Sequence, residues 1–318
     1  MKIRVLIRKY DNLCIVYALL FAVLLIGTVS SPRFLTTVNL GNIAEQAVGL
    51  GIVSLGQALA ILLAGIDLSV GAVVSLSTAI MSVELLPGAP GVLLNLGITV
   101  AAGTLVGAFN GFGIVRLRIP PFIMTLSTMC MVNGIALKIR PVPGGSIPYG
   151  FMDLLFGRVG IFPHALLLWS VLGAALIWLL HHRRFGRNLY AIGGNAATAA
   201  LSGIPVGRVR VQAHVLCSVI AAVGGICVAA RMGSGDATLG DLTGMDSVTV
   251  CVLGGISLFG GQGNIVGLLA STLILSGISN ILNMIGVSSY YQYVFKGLVL
   301  LITVLVFSVK SRRKEGPQ

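Results

Sequence analysis

Polar side chains that interrupt long apolar runs are the residues of this chain most able to do chemistry. Burying such groups in hydrocarbon is costly, so each one usually serves a binding site or a hydrogen bond between packed helices. Neutral amides and hydroxyls outnumber charges among them, and a path lined in this way suits an uncharged, hydroxylated solute better than an ion. The candidates to line such a path are Asp67, Ser69, Asn110, Asn133, Asp246 and Thr249.

Asp67 is the carboxylate of the glycine-bounded segment Gly65-Ile-Asp-Leu-Ser-Val-Gly71. A helix that starts at Leu68 would place free N–H groups and the positive end of its dipole beside this carboxylate. Capping of that helix and direct contact with a solute are both open for Asp67, and the sequence offers it no obvious cationic partner. The segment Gly255-Ile-Ser-Leu-Phe-Gly260 is similar, and paired glycine-interrupted segments are typical of a transporter's central site.

The motifs of common enzymes are missing from the sequence. It has no G-x-x-x-x-G-K-[ST] loop for nucleotide phosphates, no H-E-x-x-H and no G-x-S-x-G. The stretch from Gly261 to Gly267 has glycines at GxGxxxG spacing, which differs from the dinucleotide fingerprint, and the five cysteines include no C-x-x-C pair. We therefore expect no catalytic residue, no metal site and no cofactor.

Amino-acid composition indicates which kind of secondary structure positions these residues. Of the 318 residues, 56% are hydrophobic and only 9% are charged, against about 25% charged in an ordinary soluble domain. So few charges cannot cover a soluble globule, and so much apolar side chain excludes disorder. The apolar runs last about 20 residues, which excludes the ten-residue alternation of a β-barrel. The sequence predicts an all-α, polytopic membrane protein.

Ten apolar runs are candidate transmembrane spans. The first, Leu13–Val29, has no cleavage site after it, so we interpret it as an uncleaved span rather than a signal peptide. Leu68–Leu86 and Asp246–Phe259 adjoin glycine-rich breaks, and either can be a half-helix or a re-entrant segment. The others are Ile43–Ala64, Val92–Val115, Pro121–Leu137, Pro163–His181, Val211–Ala230, Ile265–Ile285 and Ser289–Val309.

The formal net charge is +12, and the basic residues that cause it lie in clusters between the apolar runs. If the N-terminus is cytoplasmic and the chain crosses ten times, most of the 21 Lys and Arg residues fall on the inner side. This bias predicts that both termini are cytoplasmic, and the same clustering argues against nucleic acid as a partner. Residues 1–318 are interpreted as one transmembrane domain, with an outer loop at about 138–162 and an inner loop at about 182–210.

Three long motifs occur in order along the chain: GIDLSVG at 65–71, FGRNLYAIGGN at 185–195 and LGGISLFGGQGNIVG at 253–267. Together with GVSSYYQ at 286–292, they resemble the permease subunits of bacterial ABC importers for monosaccharides. That group takes ribose, xylose, arabinose or galactose, and the last motif is particularly similar to the ribose branch. The resemblance covers nearly the whole chain. Gly244 and Ile256 depart from the family's usual residues, so the solute need not be ribose.

The resemblance implies three protein partners around this bilayer-embedded chain in the bacterial inner membrane. They are a cytoplasmic ATP-binding subunit, a periplasmic sugar-binding protein and a second permease copy, as a homodimer or pseudo-dimer. The missing phosphate-binding loop agrees, because the energy must then come from another subunit. The resemblance predicts an inward path for a neutral monosaccharide that opens by alternating access. An ion-coupled secondary sugar transporter and a membrane scaffold without a path are the alternatives.

The inner loop and the outer arginines are the expected contact points for these partners. A short helix over Ala196–Leu201, bounded by turn signals, is expected to enter a groove on the ATPase. The fixed charges of the outer face are expected to pair with acidic residues of the sugar-binding protein. The coupling candidates are Arg187, Asn188, Gly193, Asn195, Ala200 and Gly203, and the docking candidates are Arg140, Arg158 and Arg231.

Overall fold

The computed structural model describes residues 2–160 and 162–315, and their side chains except those of 2–12, 289, 303 and 306–315. These ranges form thirteen helices and one antiparallel two-stranded sheet. The helices are α1 (Lys2–Ser30), α2 (Thr37–Leu62), α3 (Ser69–Met81), α4 (Gly88–Val115), α5 (Pro121–Ile139), α6 (Tyr149–Phe156), α7 (His164–His182), α8 (Arg184–Gly194), α9 (Ala196–Leu201), α10 (Val206–Met232), α11 (Thr243–Leu253), α12 (Ile265–Met284) and α13 (Ser289–Glu315). The strands are β1 (Arg158–Val159) and β2 (Phe162–Pro163).

Seven helices are long and apolar enough to cross a membrane: α1, α2, α4, α5, α7, α10 and α12. They confirm the predicted multi-pass membrane protein. The two weak spans became α3, with 13 residues, and α11, with 11. These helices extend only about 20 and 17 Å, short of a hydrocarbon core of roughly 30 Å. The ten-span count and the cytoplasmic ends stay predictions, because seven candidate spans are found among the described residues and helix length and composition do not fix which side of a membrane an end faces.

Helix α10 is the centre of the bundle and packs against α2, α3 and α4. Its contact with α4 depends on Gly103, Gly107 and Gly111, which lie on one face of α4 and allow close backbone approach. A Cβ at Gly107 would lie 2.5 Å from the carbonyl oxygen of His214, and one at Gly111 would lie 2.8 Å from the Cα of Val211. The glycine stripe therefore serves helix packing, as its spacing predicts.

Helices α2 and α11 end with the same backbone geometry. The N–H groups of Gly65 and Ile256 donate to carbonyls five residues back, at 3.1 and 3.0 Å. The residue before each donor has a left-handed backbone, with φ of 59° at Ala64 and 89° at Gly255. Such an arrangement satisfies the last carbonyls of a helix and turns the chain sharply. The similarity between the two sequence segments thus corresponds to a shared way of ending a helix.

The predicted inner loop at 182–210 is mostly helical. The short helix expected over Ala196–Leu201 is present as α9, and the Asn195 side chain caps it by accepting the Thr198 N–H at 3.0 Å. The longer helix α8 was not predicted. Its buried face consists of Gly186, Leu189, Ile192 and Gly193, at the spacing of one helical face.

The predicted outer loop at 138–162 is tied to the bundle near its glycines. Gly144 and Gly235 exchange two backbone hydrogen bonds, each of 2.9 Å, and the Ile147 N–H donates to the Gly233 carbonyl at 3.2 Å. Helix α6 follows and packs on α7 and α10, and the β1–β2 pair closes the loop. The loop is therefore a folded cover on this end of the bundle.

Candidate functional site

A buried network of four polar side chains lies where the chain breaks between α2 and α3. One carboxylate oxygen of Asp67, Oδ1, accepts the backbone N–H of Ser69 at 2.9 Å and its hydroxyl at 2.5 Å. The amide nitrogen of Asn110 donates to the Ser69 hydroxyl at 2.8 Å. The other carboxylate oxygen, Oδ2, is 3.2 Å from the Nδ1 of His214. All four side chains are buried, and His214 is 3% exposed.

Three separate parts of the chain bring these groups together. Asp67 and Ser69 belong to the break and the first residue of α3, Asn110 belongs to α4, and His214 belongs to α10. The small surface of Gly107 lets α4 lie against the backbone of α10 beside His214. The bundle therefore places the network at the meeting point of its most tightly packed helices.

The structure supports a capping role for Asp67, because the carboxylate binds the free N–H of the first α3 residue. The His214 imidazole lies beside Asp67 and would be a cationic partner only if it were protonated. His214 was not predicted as a site residue, since it is 147 residues away from Asp67 in the chain. The available signal was an ionisable residue inside an apolar run, which in a membrane protein is a candidate site residue by default.

Several neutral polar atoms around this region have no partner within the described part of the chain. They are the amide oxygen of Asn110, both amide atoms of Gln57 on α2, and the hydroxyl of Ser218 on α10, one turn after His214. Buried polar atoms are nearly always hydrogen-bonded in folded proteins. These atoms therefore have unused hydrogen-bonding capacity within the described structure.

The other three path candidates do not join this network. Asp246, in the first turn of α11, forms an ion pair with Lys296 of α13, and Oδ2 and Nζ are 2.6 Å apart. The hydroxyl of Thr249 donates to the Met245 carbonyl of its own helix at 3.0 Å. The amide oxygen of Asn133 is buried without a partner in the described residues. The partner of Asp246 was missed because the two residues lie on separate helices.

Two of the three outer arginines are held by the chain itself. Arg140 donates to the hydroxyl and the carbonyl of Ser82, at 3.1 and 2.8 Å. Arg158 donates to Glu45 from Nε, at 2.7 Å, and to Asn42 at 2.8 Å. Arg231, at the end of α10, is exposed and makes no hydrogen bond or ion pair with the described side chains, although it is close enough to Glu45 to interact with its charge. Of the three, Arg231 has the guanidinium most available to a partner.

Helix α9 presents a small, apolar surface at the opposite end of the bundle. Ala199 is buried against the protein, whereas Ala200 and Gly203 are exposed and Leu201 is 90% exposed. On α8, Arg187 is exposed and Asn188 is half-buried. An exposed leucine beside small residues and basic side chains is suited to contact with another protein.

Helix α8 contacts both helix breaks through backbone groups. A Cβ at Gly193 would lie 1.8 Å from the Leu62 carbonyl oxygen and 2.5 Å from the Gly261 nitrogen. These last two atoms are hydrogen-bonded to each other at 2.9 Å. We call the contact between Leu62, Gly193 and Gly261 the glycine joint. It connects the end of α8 to the break that holds Asp67.

Tyr190 strengthens this contact between α8 and the second break. Its hydroxyl donates to the Gly263 carbonyl at 3.0 Å. Burial raises the pKa of the Tyr190 phenol above its usual value. The group thus stays protonated at physiological pH and keeps its proton for this hydrogen bond.

Metal-binding chemistry has no support among the described side chains, where no three His, Cys, Asp or Glu residues come together in a way that could hold an ion. Cys217, Cys227 and Cys251 are buried, and Cys14 and Cys130 are exposed. The described cysteines are free thiols, as expected for cysteines within apolar segments.

A multi-pass helical bundle with a buried polar network at a helix break is compatible with a membrane permease. Comparison with known families agrees, because the model described as the permease component of a branched-chain amino acid transport system matches residues 39–304. The chain belongs to this family.

Curated relatives cover most of the chain. The ribose import permease protein RbsC of Bacillus subtilis is 40% identical over 92% of this chain and 91% of its own length. RbsC of Escherichia coli is 37% identical over 92% of each chain. The galactose/methyl galactoside import permease protein MglC of Escherichia coli is 33% identical over 94% of this chain and 95% of its own. No solved structure matches. The relatives are named as import permeases, which are transport components rather than enzymes.

Proposed function

We propose that this chain is the transmembrane subunit of an ATP-binding-cassette importer of the bacterial inner membrane and forms the inward path for a neutral monosaccharide such as ribose. The observation that carries the proposal is the agreement over 92% of the chain with permeases named for ribose import. The relatives named for galactose are less similar, which favours the smaller sugar.

The polar network suits the chemistry of a sugar. Each sugar hydroxyl both donates and accepts hydrogen bonds. Both amide atoms of Gln57, the amide oxygen of Asn110 and the hydroxyl of Ser218 come from three helices and have no partner among the described residues. A site built from such groups rejects solutes that lack hydroxyls, because its own polar atoms would then stay unpaired.

A second permease copy completes the path in this proposal. Asp246 and Lys296 form their ion pair on the α11–α13 side of the bundle, where their side chains remain 13% and 20% exposed. Charged groups that face lipid are costly, so such groups in membrane proteins face a bundle interior or a water-filled cavity. This side of the chain is therefore expected to face the partner permease and the aqueous path rather than lipid.

The two remaining partners are expected to dock at opposite ends of the bundle. The chain has no phosphate-binding loop, so a cytoplasmic ATP-binding subunit supplies the energy and docks on α8 and α9. A periplasmic sugar-binding protein docks at the opposite end, where Arg231 offers an unpaired charge. The glycine joint then carries the movement of α8 to the break that holds Asp67.

The Asp67–His214 pair supports one alternative, an ion-coupled secondary sugar transporter. Such a transporter needs a buried ionisable pair whose protonation changes during transport. Asp67 and His214 are both ionisable and buried, with their nearest atoms 3.2 Å apart. The relatives' names favour the ATP-driven import system, and the two mechanisms differ in their energy source.

Uptake into proteoliposomes tests both mechanisms. The chain is reconstituted with its ATP-binding subunit and sugar-binding protein, and uptake of radiolabelled ribose, galactose and leucine is measured with ionophores that collapse H⁺ and Na⁺ gradients. We expect ATP-dependent ribose uptake that the ionophores leave unchanged. Gradient-driven uptake without ATP would show secondary transport. Absence of uptake by a correctly assembled complex would support the scaffold alternative.

A further inference from the structure

A cavity of about 420 Å³ opens at the end of the bundle that carries α8 and α9. It lies between the end of α4, the start of α5 and the start of α10. Its volume falls within the range of about 300–1,000 Å³ found for small-molecule sites. Backbone and apolar side chains form most of its wall, and the charged side chains that line it are Arg118 and Arg210.

The two guanidinium groups lack an anion within the described part of the chain. Neither the Arg118 nor the Arg210 side chain makes a hydrogen bond or ion pair with a described residue. Each guanidinium carries five N–H donors in a planar fork. Two like charges that line one cavity also repel each other, and an anion between them removes this repulsion.

The described carboxylates cannot neutralise this cavity. Asp67 is fully buried and is already bonded to Ser69 and His214. None of the six other described carboxylate side chains lines the cavity. These are Glu45, Glu84, Asp153, Asp236, Asp241 and Asp246.

The wall around Arg118 is fixed by local structure. Arg118 has a left-handed backbone with φ of 57°, and the next N–H, of Ile119, donates to the Gly113 carbonyl at 3.2 Å. Pro120 and Pro121 follow and restrict the backbone at the start of α5. The guanidinium of Arg118 is therefore attached to a rigid turn rather than to a mobile loop.

We propose that this cavity is a binding site for a phosphate-bearing anion. Guanidinium groups bind phosphate oxygens through paired, charge-assisted hydrogen bonds, and two of them can hold one phosphate from two sides. The phosphate can belong to the headgroup of an acidic phospholipid or to a small soluble phosphate ester. Arg210 is one helical turn from His214, and Ile114 of the cavity wall is one turn from Asn110. The bound phosphate would thus lie close to the buried network.

Thermal unfolding of the purified full-length chain in neutral detergent tests the site. The probes are inorganic phosphate, ribose 5-phosphate and dioctanoyl phosphatidylglycerol, each at matched ionic strength against chloride. A ligand that binds the folded chain raises the melting temperature in a saturable way. We expect such a rise, and Arg118→Gln with Arg210→Gln should weaken the apparent affinity at least about tenfold.

The matched control is Arg116→Gln with Arg208→Gln. These arginines stand two residues from the cavity pair and are exposed, but they do not line the cavity, and the variant makes the same change in net charge. It should leave the affinity within about twofold of the unmodified chain. Val206→Phe fills the cavity while keeping both arginines, and it should also abolish binding.

The probes distinguish the two sources of phosphate. Saturable binding of the soluble phosphates alone identifies a soluble ester, and binding of phosphatidylglycerol alone identifies a lipid headgroup. The absence of a saturable response to any probe would overturn the proposal. So would equal weakening in the Arg116/Arg208 control, which would reveal general surface charge. The arginine variants decide the question even if Val206→Phe fails to fold.

Discussion

Asp67 accepts hydrogen bonds from the backbone N–H and from the hydroxyl of Ser69, and it lies beside His214. Substitution can therefore separate the effect of its hydrogen bonds from the effect of its charge. Asp67→Asn keeps a side-chain oxygen for the Ser69 N–H and removes the charge. Asp67→Ala removes every acceptor and leaves buried donors unpaired, at about 1–3 kcal/mol each. We expect Asp67→Asn to retain most sugar uptake in proteoliposomes and Asp67→Ala to lose at least about tenfold.

Folding must be separated from transport in this comparison. The melting temperature of each purified variant, together with His214→Gln, shows whether the loss of uptake follows the loss of stability. Wild-type uptake in both Asp67 variants would remove capping and solute contact alike as roles for this residue.

Ala64 occupies a left-handed backbone position at the end of α2, where its counterpart after α11 is Gly255. An L-residue in this conformation costs about 1–2 kcal/mol, whereas glycine adopts it freely but gains entropy in the unfolded chain. Ala64→Gly should therefore stabilise the protein by about 0.5–1 kcal/mol, as measured by thermal unfolding in detergent. Ala60→Gly, inside α2, is the control and should destabilise by about 1 kcal/mol. A lower melting temperature for Ala64→Gly would contradict the assigned strain.

Candidate site residues could be predicted from the sequence where a polar side chain interrupts an apolar run. Asp67, Ser69 and Asn110 stood out as polar groups in apolar runs, and the structure brings them into one network. Their partner His214 was missed, as was Lys296, because a contact across 147 or 50 residues leaves no local pattern. Helix packing decides such pairs, and one sequence does not reveal which helices pack together.

At the scale of elements, the glycine joint provides a matched pair of substitutions. A Cβ at Gly193 would lie 1.8 Å from the Leu62 carbonyl oxygen, whereas one at Gly194 would meet nothing within 4 Å. Gly193→Ala must therefore push α8 away from the end of α2, at a cost of about 1–3 kcal/mol for overpacking. We expect Gly193→Ala to lower ATP-driven uptake at least about tenfold while Gly194→Ala stays near wild type. Equal uptake by the two variants would show that the joint carries no movement.

The exposed face of α9 is the second test at this scale. Ala200→Trp and Gly203→Trp add bulk where contact with the ATP-binding subunit is expected, so they should weaken its association and abolish transport. Co-purification and uptake assays measure the two effects, with docking of the sugar-binding protein retained. Ala101→Trp, on an exposed position of α4, controls for a surface tryptophan. Normal transport by both α9 variants would mean that 182–210 is only a connector.

A helix could be predicted from the sequence where helix-forming residues lie between clear stop signals. The run Ala196–Leu201, with Asn195 before it and Gly203 after it, has both a helix former and its stops, and α9 has these bounds. Helix α8 escaped because glycines at 186, 193 and 194 look like loop residues. Gly186 and Gly193 are instead needed for close packing. A Cβ atom at these positions would lie 2.1 and 1.8 Å, respectively, from a backbone atom.

At the scale of the whole molecule, Arg231 is the outer charge most available for docking. Arg231→Glu should weaken the stimulation of ATPase activity by the sugar-binding protein and leave assembly of the complex intact. The effect should be larger at low ionic strength, where screening is weaker. Arg33→Glu makes the same charge change elsewhere on the outer face and serves as the control. Unchanged stimulation of Arg231→Glu at low salt would contradict the docking role.

The uneven distribution of charge along the bundle has an electrical consequence. Seven arginines (116, 118, 183, 184, 187, 208 and 210) belong to the segments around the α8–α9 end. A bacterium holds its interior negative, and carrying one elementary charge against 100 mV requires about 2.3 kcal/mol. Inversion of the folded chain would thus oppose the resting potential by roughly 16 kcal/mol for the arginines alone. With the α8–α9 end in the cytoplasm, as proposed, the membrane voltage would therefore favour this orientation.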